Sequence, residues 1–333
     1  MSYMSGKVRR SLAGLALCSA HTLCAELEPD QYFSLVTDFV YMQRYHVKDN
    51  PVITVCDGDN CATRAVSTKS LVRNWEPGIS ATLSYIQNAR SSYEVSGLYL
   101  WPMDNSSSET RSNSLTFPFH RKDLTNDFFK ADKISANYFS QFYTVEANYW
   151  KVFSNSRTSF FALSGMFGLR FANVGERFTV KAYQEGGGHS TYKIKANNDL
   201  VGVQIGLDFK IRPFKTFYWD LLLKAGADLN RIKATVFLGD ADNTLVLRNY
   251  AAQKAQTGMF AQAAVGAGYQ PYDFLNVHVG YQMLFFGGLA LAPDQMDRSD
   301  STLSISSKQS SFKIAANGYI IVHGIYTGLT FTF

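Results

Sequence analysis

The sequence predicts an all-β fold, a transmembrane antiparallel up-and-down β-barrel of about ten strands, with twelve as the alternative. Three observations predict it. Apolar and polar residues alternate with a period of two through most of the chain after residue 25. No window there holds eighteen consecutive apolar residues, the least a membrane helix needs. The connections between alternating segments are short and long in turn, as the two ends of a membrane barrel require.

The first thirty residues read as a leader. Lys7, Arg9 and Arg10 precede a short apolar run from Leu12 to Leu17, and small residues follow, the order of a cleaved signal peptide. The expected cut follows Ala25, with Ala20 as the second site, so 1–25 is the signal peptide and 26–333 a single barrel domain. Leu17 before Cys18, where a lipoprotein site needs a small residue, argues against acylation. Loss of three basic and no acidic residues lowers the net charge from +5 to +2. A nearly balanced chain has no electrostatic case for nucleic acid as a partner. Charged residues make up 18% of the sequence, below the roughly 25% of an average globular domain, while aromatics reach 14%, a combination typical of neither a disordered nor a nucleic-acid-binding protein.

Strands are expected at about 31–45, 76–88, 91–102, 138–153, 158–184, 190–212, 216–238, 256–270, 274–290 and 321–333. The row Val201, Val203, Ile205, Leu207, Phe209 and Ile211 is apolar, and its opposite face carries Gly202, Gln204, Gly206, Asp208 and Lys210. The pattern recurs with Trp219, Leu221 and Leu223 against Asp220, Lys224 and Asp228, and with Val277, Val279 and Tyr281 against Asn276, His278 and Gln282. Glycine at 202, 206, 226, 266 and 280 suits a crowded inner wall better than an exposed strand face. The polar rows therefore face the lumen and the apolar rows lipid.

The tight turns are "QNAR", "SNSR", "RPFK" and "QPYD"; long extracellular loops are expected at about 46–75, 103–137, 239–255 and 291–320. Within the first loop, Cys56 and Cys61 are the only cysteines left after cleavage and are expected to form a disulfide. Asp57, Asp59 and Asn60 between them lack the register of a calcium loop. The stretch "LTNDFFKADKISANYFSQFYTVEANYW" fits a short amphipathic helix or a strand edge at its start. Tyr32, Phe33, Trp75, Trp101, Tyr149, Trp150, Phe217, Tyr218, Trp219, Tyr269 and Tyr272 gather near strand ends, as an interfacial girdle would. In the last strand Ile325, Leu329, Phe331 and Phe333 are expected to face lipid, with Tyr326, Gly328, Thr330 and Thr332 inward.

Several segments resemble the outer-membrane barrel family called beta-barrel protein-7: "YTVEANYWKVF", "LSGMFGLRFANVGERFTV", "NNDLVGVQIGLDFKIRPFKTFYWDLLLKAGADLN", "VGAGYQPYDFLNVHVGYQMLF", "APDQMDR" and "HGIYTGLTFTF". The N-terminal "LVTDFVYMQRY" is a looser match, and "WEPGISATLSY" is distantly similar to the Legionella-type major outer membrane proteins. The resemblance implies a Gram-negative-type outer membrane as the location, with its lipid as a partner, and carries over no substrate or catalytic residue. The chain's end also resembles the signal read by the barrel-assembly machinery, through Tyr326, Gly328, Phe331 and Phe333, although Tyr326 stands where a more polar residue is usual.

The chemistry-bearing residues are sparse. His46, His120, His189, His278 and His323 show no metal spacing and no nucleophile motif, so no catalytic residue, cofactor or metal is expected. Asp294 and Asp297 in "APDQMDR" are loop carboxylates that suit water as well as a cation. The lumen-facing candidates are Asp208, Lys210, Asp220, Lys224, Asp228 and His278, joined by Asp38, Arg44, Glu94, Glu146 and Arg170. Charges of both signs fit either a selective lining or a salt-bridged plug, and a wall of about ten strands lies near the size that side chains fill. The expected function is that of a structural or narrow-pore, porin-like barrel and not an enzyme; the alternative is a surface binding or adhesion protein whose long, serine-rich loops take a ligand.

Overall fold

The structure, a computed structural model, describes residues 31–333 except 46–48, 58–59, 73–74, 118–125, 155–159, 186–188, 241–245 and 297–311. The expected signal peptide lies outside the described residues, as do Asp59 and Asp297. Among the described residues no helix is long and apolar enough to cross a membrane.

Twelve strands follow in order: β1 (Tyr32–Tyr45), β2 (Pro51–Asp57), β3 (Asn60–Ser67), β4 (Trp75–Asn88), β5 (Ser91–Thr116), β6 (Ala131–Val152), β7 (Phe161–Tyr183), β8 (His189–Phe214), β9 (Phe217–Asp240), β10 (Val246–Tyr272), β11 (Leu275–Leu289) and β12 (Gly318–Thr332). Ten of them, β1 and β4 to β12, close a ring of antiparallel neighbours in which β1 pairs with both β4 and β12 and β5 pairs with β6. Closure leaves this wall without a free edge. At the seam Phe33 and Phe333 exchange backbone hydrogen bonds of 2.8 and 2.9 Å, and their rings stack with centroids 6.3 Å apart. The β2–β3 hairpin lies outside the ring and joins the far end of β5 through Thr54 opposite Thr116 and Val55 opposite Leu115.

The wall is uneven. Strands β1, β4, β11 and β12 hold 14 or 15 residues, whereas β5 to β10 hold 22 to 27. A tilted strand crosses a bilayer in about 10 residues, so the six long strands project well past it. This corrects the expected loops. Much of 103–137 is the continuation of β5 and the start of β6, most of 239–255 belongs to β9 and β10, and 46–75 contains the hairpin and a helical turn at Thr68–Leu71. In 291–320 the described residues form a short 3-10 turn (Ala292–Gln295) and the start of β12. The undecided stretch near residue 126 is a 3-10 turn at Asn126–Phe128 that leads into β6.

Side-chain polarity explains why so much strand was hidden. Toward the tight turns, the outward positions are large and apolar: Phe167, Leu169, Val203 and Ile205 are all more than 60% exposed. Such a band on a closed sheet is at home against hydrocarbon, and it makes this part of the barrel the membrane-spanning belt. Farther up the same strands the pattern inverts. In β8 the inward row changes from Gln204 and Gly202 to Ile194 and Tyr192, while the outward row changes from Val203 and Val201 to Lys195 and Lys193. Phe178, Val180, Ile232, Val236 and Leu238 continue that apolar interior, packed with Val52, Ile53 and Leu71 from the hairpin region and with Phe117 and Phe128. The barrel is thus polar inside where lipid surrounds it and apolar inside where water does.

Candidate functional site: the lumenal chamber

Between the tight turns and the barrel's middle lies a chamber of about 430 Å³. Its lining includes Asp38, Glu94, Glu146, Lys210, Asp220, Lys224, His278 and Tyr326, with Trp150, Tyr218 and Asn276 nearer the turns. Lys210, Asp220, Lys224 and His278 thus meet in one space. Asp208 sits two residues from Lys210 on the same face, and Lys210 is paired across to Asp220. Asp228 lies higher and is buried.

The charges are paired across strands. Arg170 donates through one Nη to both oxygens of Asp228 at 2.8 and 2.7 Å, with each side chain only 1% exposed. Lys224 donates to Glu146 at 2.7 Å, and Gln204 donates to Glu146 and Asn148 at 2.9 and 2.8 Å. His278 Nε2 lies 2.6 Å from Asp38 Oδ1. His278 Nδ1, Asn276 Oδ1 and Trp150 Nε1 are buried with no partner among the described residues.

Glycine makes these contacts possible. Asp38 and His278 both pair with Gly328 from opposite sides, so their side chains meet above it. A Cβ there would fall 2.2 Å from Asp38 Oδ1. Arg170 and Asp228 straddle Gly202 in the same way, and a Cβ at Gly202 would fall 2.2 Å from Asp228 Oδ1. Asn148 and Gln204 repeat the arrangement over Gly168. An inward glycine between two polar neighbours is therefore a saddle over which side chains on alternate strands bond. General crowding, the reason read from sequence, is too weak a description.

Above the chamber the lumen closes. The Arg170 guanidinium lies 3.2 Å from the Phe260 ring centroid and 5.0 Å from that of Phe286. Phe260, Phe286, Phe142, Leu200, Val40 and Met42 form a buried layer across the interior. A second polar tier then fastens the chain after β11. Asn198 receives the Ala290 N–H and donates to the Ala290 carbonyl, at 2.8 and 2.9 Å. Asn230 donates to Gly288 at 2.8 Å, and Glu176, which also bonds Arg44, accepts the Ala292 N–H at 2.7 Å. Gly288 has φ +78°, a conformation that favours glycine, and there the chain turns inward. Sequence reading had Arg44 and Arg170 but missed Glu176 and Asn198, which share the parity of their inward neighbours.

Two expected girdle residues are corrected. Trp150 and Tyr218 line the chamber, because each has the inward parity of its strand. Tyr218 lies under the Lys210 ammonium, 4.7 Å from its ring centroid. Trp75, Trp101, Trp219, Tyr269 and Tyr272 are exposed on the outer wall. Ile325, Leu329 and Phe331 of β12 and the following Phe333 are exposed, while Tyr326 points into the chamber. Cys56 is buried in β2; the Cys61 side chain lies outside the described residues. Among the described residues no group of three or more His, Cys, Asp or Glu side chains is placed to hold a metal ion.

No protein-family model and no curated protein matches the chain. Among solved structures it is similar to the outer membrane protease OmpT from Escherichia coli, at 12% identity and a TM-score of 0.44, covering 91% of this chain and 96% of that one. It is also similar to the translocator domain of the autotransporter NalP from Neisseria meningitidis, at 7% identity and a TM-score of 0.36, covering 97% and 95%. Similarity to Ail, the attachment invasion locus protein of Yersinia pestis, is at 10% identity and a TM-score of 0.23, covering 90% and 98%.

Proposed function

We propose that this chain is an integral outer-membrane barrel of structural type, exported by a cleaved signal peptide, with a lumen sealed toward the outside and an extended outer wall that serves surface contacts. In this reading it is related to the beta-barrel protein-7 group, engages the assembly machinery through its C-terminal strand, and is not an enzyme. One observation carries the proposal: the projecting half of the barrel has a buried apolar interior where a channel would need water. The apolar outer belt and short turns support the membrane setting. Single-channel recording on the refolded full chain in planar bilayers tests it. The expected result is no steady conductance, and a stable ohmic level would refute the sealed lumen.

A second reading, a narrow gated conduit, draws on the chamber itself, whose mixed charges suit a selective lining. It requires the segment from Gly288 to Gln295 to leave Glu176, Asn198 and Asn230. Replacement of Asn198 and Glu176 together by Ala would then raise the frequency of opening events, and a silent double variant would dismiss it.

A further inference from the structure

The outer face of β7, β8 and β9 carries three levels in sequence. Lowest is a groove of about 1160 Å³ in the apolar belt, floored by the small Ala225 and Ala227 and walled by Phe167, Leu169, Val203 and Ile205. Above its rim stands an amide cluster. Asn173 donates to Asp199 at 2.7 Å and to Asn197 at 3.1 Å, and Asn197 donates to Asp199 at 3.1 Å. Beside and above it are six cations: Arg231 and Lys233 on β9, opposite Asp199 and Asn197 of the cluster, then Arg177 on β7 opposite Lys195 on β8, and beyond them Lys193 on β8 and Lys181 on β7.

Asp199 is the one acid among the described outward positions of these three strands in this band, and the amides already occupy it. None of the six cations makes an ion pair among the described residues. They repel one another. The Lys193 ammonium is held below the ordinary lysine value by burial first and then by Lys195, Arg177 and Lys181. Arg231 is two residues above Leu229 of the belt, about 7 Å along the strand.

We propose that this face is a binding site for an anionic, multiply phosphorylated lipid, its acyl chains in the groove and its phosphates on the six cations. The proposal rests on the membrane setting argued above. Charge complementarity and the unbroken passage from groove to cations favour a lipid over a soluble anion, since phosphate alone leaves the groove unused and an acidic macromolecule has no reason to adjoin the belt. Each cation near an anionic surface contributes about fivefold in affinity.

The test uses the refolded full chain in detergent, with cardiolipin as probe and native mass spectrometry as readout. Removing four charges together (Lys193→Gln, Lys195→Gln, Arg231→Gln, Lys233→Gln) should weaken cardiolipin retention at least tenfold, and filling the groove with Ala227→Trp should weaken it separately. These positions are on the surface, and an unchanged heat-dependent gel shift reports an intact barrel. Cardiolipin retention equal to wild type in the fourfold variant overturns the site. Competition by inorganic phosphate at equal concentration overturns the lipid in favour of free anion, and tighter binding of heparin overturns it in favour of an acidic macromolecule. Insertion into phosphatidylcholine vesicles is scored in parallel. A chain that inserts yet ignores the four charges refutes only the lipid site, whereas one that enters vesicles of no composition removes the membrane setting as well.

Discussion

Replacing Asp228 by Asn should be among the most damaging single changes inside the barrel. The substitution keeps the shape and removes the charge that faces Arg170, leaving a guanidinium whose side chain is 1% exposed and sandwiched against Phe260. Breaking a buried ion pair from one side costs about 3–5 kcal/mol, because the remaining charge stays buried without compensation. Glu146 also acts on Arg170, so the low end, about 3 kcal/mol, applies here. That corresponds to more than a hundredfold, at about 1.4 kcal/mol per factor of ten, in the ratio of folded to unfolded chain. Urea titration of the barrel in vesicles, followed by tryptophan fluorescence, measures it. A double-mutant cycle with Arg170→Met separates the pair from the lost carboxylate: the double variant should recover part of the loss, with a coupling above about 1 kcal/mol. A loss below 1 kcal/mol for Asp228→Asn, or additive single effects, would refute the argument that this pair holds the interior together.

Four further outcomes are expected. Gly328→Ala sets a methyl 2.2 Å from both Asp38 Oδ1 and the Thr37 carbonyl, so it should cost about 1–3 kcal/mol through overpacking; refolding in vitro checks this free of any assembly effect. The Asp132 carboxylate lies outside the membrane belt and accepts the backbone N–H groups of Asn113 and Glu185, which hold it below the ordinary value of 3.8. Its contribution is complete above that value and lost as the pH falls through the depressed one; protection of the Asn113 amide, relative to its intrinsic exchange rate at each pH, should fall only in strong acid, and Asp132→Asn should abolish that dependence. Cys56 and Cys61 lie on the two strands of one hairpin, so they should pair; the closed loop is worth about 2 kcal/mol, and intact-mass analysis without reductant should show a mass lower by the two hydrogen atoms lost on oxidation. Deleting Phe333 removes both seam hydrogen bonds to Phe33 and should lower the amount of chain in the outer membrane, which cell fractionation reports.

The chamber's wall is legible in the sequence, but its pairings are not. Asp208, Lys210, Asp220, Lys224, Asp228 and His278 could be placed on the inward face because side chains on a strand alternate, whatever the neighbours are. Their partners could not. Arg170 meets Asp228 across 58 positions, Arg44 meets Glu176 across 132, and His278 meets Asp38 across 240. Such contacts depend on register, and register depends on every pairing around the ring. Trp150 and Tyr218 were assigned to the outer girdle because position near a strand end outweighed parity, and parity was the better guide.

The sequence by itself determined an all-β chain, ten membrane-crossing segments with tight turns at one end, and an apolar face for lipid, all consequences of a period-two pattern that is local. The tertiary structure alone decided how far the strands run beyond the membrane. In β8 the same alternation continues from Val203 and Gln204 to Lys195 and Ile194, but which row is inside can be known only once the sheet has closed and one face has been turned away from the surroundings. Closure converts a single alternating pattern into two environments, lipid below and water above, and the interior takes the opposite polarity in each.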